Sequence, residues 1–280
     1  MDSIPDPSSP ARVADWIELM ISTEKNPLSK AYVANAIEAA SGEEPSEAFI
    51  TSVWRELLYR ESLYSRNYFK VDETTIVPRR KTFPVEYIAC LLLSLYGVPG
   101  NSNLPAKLFE RLSCEAVQAY LTGRAIVFGW PFEPQGDDEE TAIKQKVRLL
   151  ATDAVEKFNE APAARFKDRG LDIVGWIPFK DGRSSQSIIL IQCAAGHNWA
   201  DKSPVPMGPW CQYIHWACDP IKGFAVPCVI DERDWHENSR VKGVLFDRPR
   251  ILNFLPSVMT DKTLKKELAA WVEDELNNLE

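Results

Sequence analysis

The segment Gly170 to Lys202, GLDIVGWIPFKDGRSSQSIILIQCAAGHNWADK, decides how this chain is read. Two apolar runs, Leu171 to Phe179 and Ser187 to Cys193, are rich in Ile, Val and Leu. Between them lies Lys180-Asp181-Gly182-Arg183-Ser184-Ser185, whose Asp-Gly favours a turn, so the pattern predicts a β-hairpin. Asp172 then sits near the start of one strand and Gln192 near the end of the next, where both can converge on one point at a sheet edge. Taken singly, each has an ordinary role: Asp172 can cap a strand, Gln192 can satisfy a buried backbone group, and Lys202 can be a solvated side chain. Polar residues seldom finish apolar strands without partners, because burying one unpaired costs a few kcal/mol, and their joint occurrence marks a site.

On either side of the hairpin the order of elements is mixed. Residues 1–10 read as a disordered lead. Helical spacing follows over Ala11 to Ser22, Ser29 to Ala40 and Ser46 to Leu58, with Ser29 and Ser46 as N-caps. Tyr68 to Pro78 predicts strand, turn and strand, and a strongly apolar helix follows Pro84. Gly97 to Pro105 (GVPGNSNLP) is the best boundary signal. It divides an N-terminal helical module, 1–103, from a second domain, 104–280. Beyond it, helices are expected over Leu104 to Leu121, Thr141 to Phe158, Trp210 to Ala217, Asp231 to Arg240 and Asp261 to Leu279. Strands are expected over Arg124 to Trp130, the hairpin, Gly223 to Ile230, and Gly243 to Phe246 with its continuation. This alternation predicts an α/β fold with a central sheet flanked by helices.

Composition excludes some functions. Of the 280 residues, 45% are hydrophobic and 26% charged, an ordinary globular mix. No run approaches the roughly 18 to 20 apolar residues of a membrane span. The opening MDSIPDPSSP lacks a secretory pattern, so a cytoplasmic protein is expected. Net charge is −8, which argues against coating nucleic acid by bulk electrostatics but leaves room for a local groove. Basic residues cluster at Arg79-Arg80-Lys81, at Lys144, Lys146 and Arg148, at Arg165, Lys167 and Arg169, and at Arg240, Lys242, Arg248 and Arg250. The six cysteines lie within apolar runs and suit buried thiols better than disulfides or zinc, because no CxxC pair occurs.

An acid on one strand and an amide on the next can hold a hard divalent cation, and a cationic group nearby can orient an attacking water. Asp172 and the Gln192 amide supply oxygen ligands, and the main-chain carbonyl of Cys193 can supply another. With Gln192-Cys193-Ala194, this arrangement resembles the PD-(D/E)xK superfamily of restriction-endonuclease-like nucleases, over roughly residues 104 to 255. The resemblance implies metal-dependent hydrolysis of DNA or RNA phosphodiesters with Mg²⁺ or Mn²⁺, with Asp172 and Gln192 as metal ligands. Segments GLDIVGW, LIQCAAGHNWADK and GFAVP also look similar to nuclease-like proteins of bacterial anti-phage and restriction systems. A protein partner in a defence complex and self-association are both open.

Ala194 stands where the triplet has lysine. The substitution can be engineered, can mark an inactive relative, or can mean that the lysine has moved, in which case Lys202 is the expected replacement. A further acid in this fold comes from the helix before the strands, for which Glu110, Glu115 and Glu156 are candidates. His197 is expected to be structural. Trp199, Trp210 and Trp216 are expected in core or rim positions more than as base-stacking platforms. The rival readings are a catalytically inactive nuclease-fold scaffold, which Ala194 favours, and a purely structural interaction protein.

Overall fold

The computed structural model describes residues 4–98, 102–129, 139–163 and 166–279. Its first part runs α1 (Pro10–Thr23), β1 (Leu28–Ser29), α2 (Lys30–Ser41), α3 (Glu47–Leu63), β2 (Phe69–Val71), β3 (Thr75–Pro78) and α4 (Val85–Tyr96). Serine hydroxyls start the first three helices, Ser9, Ser29 and Ser46 accepting from the amides of Arg12, Tyr32 and Phe49. The short strands form an antiparallel sheet in the order β1-β3-β2.

The second part runs α5 (Leu104–Leu121), β4 (Arg124–Val127), α6 (Glu139–Asp153), β5 (Lys157–Phe158), β6 (Ile173–Ile177) and β7 (Ser187–Cys193). It continues with α7 (Met207–Tyr213), β8 (Ile214–His215), β9 (Ile221–Ala225), α8 (Glu232–Lys242), β10 (Val244–Phe246), α9 (Arg248–Phe254) and α10 (Leu264–Asn278). Five strands make a mixed sheet in the order β10-β9-β7-β6-β4. The β4/β6 and β6/β7 pairs are antiparallel, while β7/β9 and β9/β10 are parallel. The α/β class with a central sheet between helices is thus the architecture found.

Alternation along the strands explains the layers. Ile173, Ile189 and Ile191 face one side, in the same apolar cluster as Leu108 and Leu112 of α5, Leu252 of α9 and Leu268 of α10. Val174, Trp176, Ile188 and Leu190 face the other, against Ile143 and Val147 of α6 and Trp210 of α7. Helix α5 crosses β6 at Gly175, where a Cβ would lie 2.6 Å from Leu121 and 3.0 Å from Val117, so the close approach needs glycine. Ile17, Leu57 and Leu92 of the first helices belong to the same cluster as Ile173 and Ile191, so the two parts share a core. The boundary expected near Gly97 to Pro105 falls partly on residues 99–101, outside those described.

A buried charge cluster also joins the two parts. Asp15 and Glu18 of α1, Arg60 of α3 and Arg248 of α9 are all at most 3% exposed. Arg60 reaches Asp15 at 2.6 Å and Glu18 at 2.7 Å, and Arg248 reaches the same two oxygens at 2.7 and 3.0 Å. Tyr64 and Tyr87 donate to the second Glu18 oxygen, and Ser94 donates to Asp15.

Several expectations need correction. Residues 4–9 are not a disordered lead: Ile4 is buried in the core and Ser9 caps α1, while residues 1–3 lie outside those described. The helix expected to reach Phe158 stops at Asp153, because residues 157–158 pair with β8. The helix expected over Trp210 to Ala217 starts at Met207 and gives way to β8 after Tyr213. The strand expected to run on past Phe246 turns into α9, which Asp247 caps and Pro249 helps to start. Lys242 and Arg248, read within a surface basic cluster, are both buried. Among the described residues no helix is long and apolar enough to cross a membrane.

Candidate functional site

The hairpin brings the expected pair to one end of the sheet. Ile173 lies opposite Ile191, the last pair of the β6/β7 ladder, and the Asp172 amide also donates to the Ile191 carbonyl at 3.0 Å, which sets Asp172 beside the end of β7 that carries Gln192. On its other flank the Asp172 carbonyl accepts from Phe128 at 2.7 Å, at the end of β4. One carboxylate oxygen of Asp172 accepts from the Cys193 amide at 2.7 Å, which fixes the side chain across the strand end. Gly170, in the left-handed region at φ +72°, places its backbone under the Gln192 amide, where a Cβ would sit 3.3 Å away.

Both side chains line a cavity of about 380 Å³ at this sheet edge, together with Glu110, Asp168 and Lys202. Lys202 follows a 3-10 turn, Trp199–Asp201, which carries the chain back over the strand end after β7. Its carbonyl accepts from Lys242, and the residue lines the cavity. Of the three candidate helix acids, Glu110 is the one in the cavity, on α5 and held by Lys107 at 2.9 Å. Glu115 accepts from the amides of Thr260 and Asp261, and Glu156 from those of Ser185 and Ala217, so both anchor loops elsewhere. Asp168 was not foreseen as a site residue. Its only sequence signal is the acid-glycine pairing Asp168-Arg169-Gly170 before an apolar strand, since it accepts from the Gly170 amide in a local turn.

Electrostatics mark the cavity as short of positive charge. Burial, and then the negative charge of Glu110, push the Asp172 carboxyl up to about 7. Glu110 is likewise raised, chiefly by burial and against the pull of Lys107. Carboxylates crowded in a half-dry pocket resist ionising together, and a divalent cation relieves that repulsion. Among the described residues no three His, Cys, Asp or Glu side chains converge tightly enough to hold a metal alone. A cation here would draw on Asp172, Glu110, the Gln192 amide oxygen, a main-chain carbonyl and water, a hard-oxygen set suited to Mg²⁺ or Mn²⁺. The donors fit the ion.

Ala194 is fully buried, packed with Phe224, Val226, Ile230 and Leu245 in a small cluster, and does not line the cavity. A lysine there would thread its stem through apolar side chains close to the Lys242 ammonium, which lies 4.6 Å from the Phe224 ring centre. Ala194→Lys is therefore expected to destabilise the fold by about 1–3 kcal/mol without raising any activity. Denaturant unfolding beside a cleavage assay checks this. A stable, more active variant would mean that Ala194 is an impaired site and not a native packing residue.

The remaining candidates lie away from the carboxylates. His197 is clasped between Arg12, 3.3 Å from its Nε2, and Gly97 at the end of α4. Burial and the Arg12 charge hold its pKa below the usual value, which keeps it neutral. Trp210 is buried, Trp216 donates to the Trp210 carbonyl, and Trp199 packs beside Lys242.

The fold and cavity define an α/β protein with an acid-amide-lysine pocket at the edge of a mixed five-stranded sheet. No protein-family model matches the chain, and no curated protein matches it either. Among solved structures, that of the restriction endonuclease FokI is similar over 92% of this chain, at 8% identity and a TM-score of 0.19. The chain spans 44% of that structure's length. A likeness that weak carries no weight for fold or function.

Proposed function

We propose that this chain is a metal-dependent nuclease of the PD-(D/E)xK kind, hydrolysing phosphodiester bonds of DNA or RNA with Mg²⁺ or Mn²⁺. The observation that supports this best is the convergence of Asp172, Gln192, Glu110 and Lys202 on one cavity from two adjacent strands, a helix and a loop. In this reading Asp172, Gln192 and the Cys193 carbonyl hold the ion, and Glu110 adds a carboxylate. The bound ion supplies Lewis acidity toward phosphate and a more acidic water. Lys202 places an ammonium where negative charge develops on the phosphate in the transition state. Exposed Glu38, Glu43, Glu44 and Glu47 flank the turn between α2 and α3, and Asp72 and Glu73 tip the β2/β3 turn. Phosphate is repelled there, so the N-terminal helices suit a sensing or protein-docking role in a cytoplasmic defence complex more than a DNA clamp.

The full chain with Mn²⁺ is expected to cleave plasmid DNA, single-stranded DNA or RNA, and Lys202→Ala to lower the rate about 10²- to 10³-fold. Cleavage unaffected by Lys202→Ala removes the lysine from the reading. A wild-type protein inert on all three substrates favours the second reading, a nuclease-fold binding subunit without activity, for which the lack of lysine in Gln192-Cys193-Ala194 speaks.

A further inference from the structure

We infer that Lys242 is the positioning residue for Lys202, an inference that rests on the reading of Lys202 just given. Lys242 ends α8 and is 3% exposed. The chain then turns through Gly243 at φ +87°, where a Cβ would lie 2.0 Å from the Lys222 carbonyl oxygen, so only glycine allows the turn that aims Lys242 inward. Among the described residues its ammonium makes no ion pair. Instead it donates to the carbonyls of Trp199 at 3.4 Å, Ala200 at 2.8 Å and Lys202 at 2.7 Å, and the same ammonium lies 4.6 Å from the Phe224 ring centre.

An ammonium has three donors, and burying it without a carboxylate is tolerated only when neutral acceptors take all of them. Here every acceptor belongs to one four-residue segment, the one carrying Lys202 to the carboxylate cavity. Inside that segment the Lys202 amide bonds only to the Trp199 carbonyl, at 3.2 Å, and the Asp201 amide to the Asn198 carbonyl, at 3.2 Å. Those two turn bonds shape the segment but do not attach it to the rest of the fold. The Trp199 ring anchors its start on the Phe224 cluster, and Lys242 ties its backbone to the end of α8 through three carbonyls, up to that of Lys202 itself. Lys242 touches neither substrate nor metal.

The test compares the full-length Lys242→Met and Lys242→Arg variants on plasmid DNA with Mn²⁺, with Mn²⁺ binding measured alone by calorimetry and amide hydrogen exchange followed over residues 197–203. Lys242→Met is expected to lower kcat about 10- to 100-fold, as loss of a group supporting a catalytic residue does, with KM and Mn²⁺ affinity within about twofold. Exchange should quicken in 197–203 and not across the sheet. Lys242→Arg, which can still donate to those carbonyls, should recover part of the rate. Adding Lys242→Met to Lys202→Ala should cost no further rate, because both act through one ammonium. Wild-type kcat in Lys242→Met, or rate losses that multiply in the double variant, overturns the inference while leaving the nuclease reading intact. If the wild type cleaves nothing, the nuclease reading fails, and exchange decides the tether: unchanged protection of 197–203 in Lys242→Met overturns it, and a rise confined there upholds it.

Discussion

Asp172→Asn is expected to abolish cleavage and, in the same protein, to raise the melting temperature of the metal-free chain at pH 8. The first effect follows from removing the negative ligand that holds the ion, and should reach about three orders of magnitude or more in rate. The second follows from the position of the carboxyl. Its pKa is about 7 in the fold, raised by burial and the charge of Glu110, against 3.8 for an ordinary aspartate. The folded state therefore binds this proton more tightly than the unfolded chain does. The resulting cost is absent below about pH 4, grows as the pH rises and is complete above about pH 7. That difference in pKa corresponds to an upper limit of about 4 kcal/mol, and solvent screening at the mouth of the cavity reduces this to about 2 kcal/mol. Asparagine keeps an oxygen to accept from the Cys193 amide and carries no charge. Thermal unfolding at pH 5 and pH 8 checks the sign: the gap between variant and wild type should widen with pH. Millimolar Mg²⁺ should close it by stabilising only the wild type. An asparagine variant no more stable than wild type at pH 8 would show that the carboxylate is not under electrostatic strain.

Arg248→Met is expected to lower stability by about 3–5 kcal/mol. Removing one guanidinium leaves Asp15 and Glu18 buried with Arg60 alone to balance them, and an uncompensated buried charge costs that much. Arg248 also donates to Tyr64 at 2.7 Å, so the variant breaks a network that spans α1, α3 and α9. Lysine is a poor substitute because a point charge cannot reproduce the fork that meets Asp15, Glu18 and Tyr64 together. The cluster also makes the fold acid-sensitive. Arg248 and Arg60 outweigh the burial that opposes ionisation and hold Asp15 at about 2. Its contribution is therefore present above about pH 4 and is lost as the pH falls toward 2. Urea unfolding of Arg248→Met at pH 7 tests the main point, and a loss under about 1 kcal/mol would show that the cluster does not hold the N-terminal helices to the sheet-bearing part.

Local physics made much of this legible. Serines before periodic apolar runs located the starts of α2 and α3 to within a residue, although α3 runs on to Leu63, past the expected end at Leu58, and the Asp-Gly turn between two apolar strands yielded the hairpin, its direction and the approach of Asp172 to Gln192. Those features depend on neighbours a few residues apart, which the sequence states outright. Lys202 at the cavity was also foreseeable, because a lysine eight residues past Ala194, in the loop after the strand, has the reach. What escaped depends on contacts between distant segments. Glu110, Glu115 and Glu156 look alike as letters, and only the path of α5 across β6 at Gly175 brings the first to the carboxylates. Arg248 and Lys242 read as surface charge, yet both are interior, because their partners lie on α1 and α3 in one case and on the 199–202 loop in the other. Ala194 looked like a missing lysine until the packing around it put its side chain in an apolar cluster. The sequence by itself determined the elements and the acid-amide pair, since helix caps, strand alternation and tight turns are short-range. Tertiary structure alone decided which charges are buried, which acid completes the cavity and what holds its lysine, since burial and charge pairing depend on segments that meet only when the chain folds.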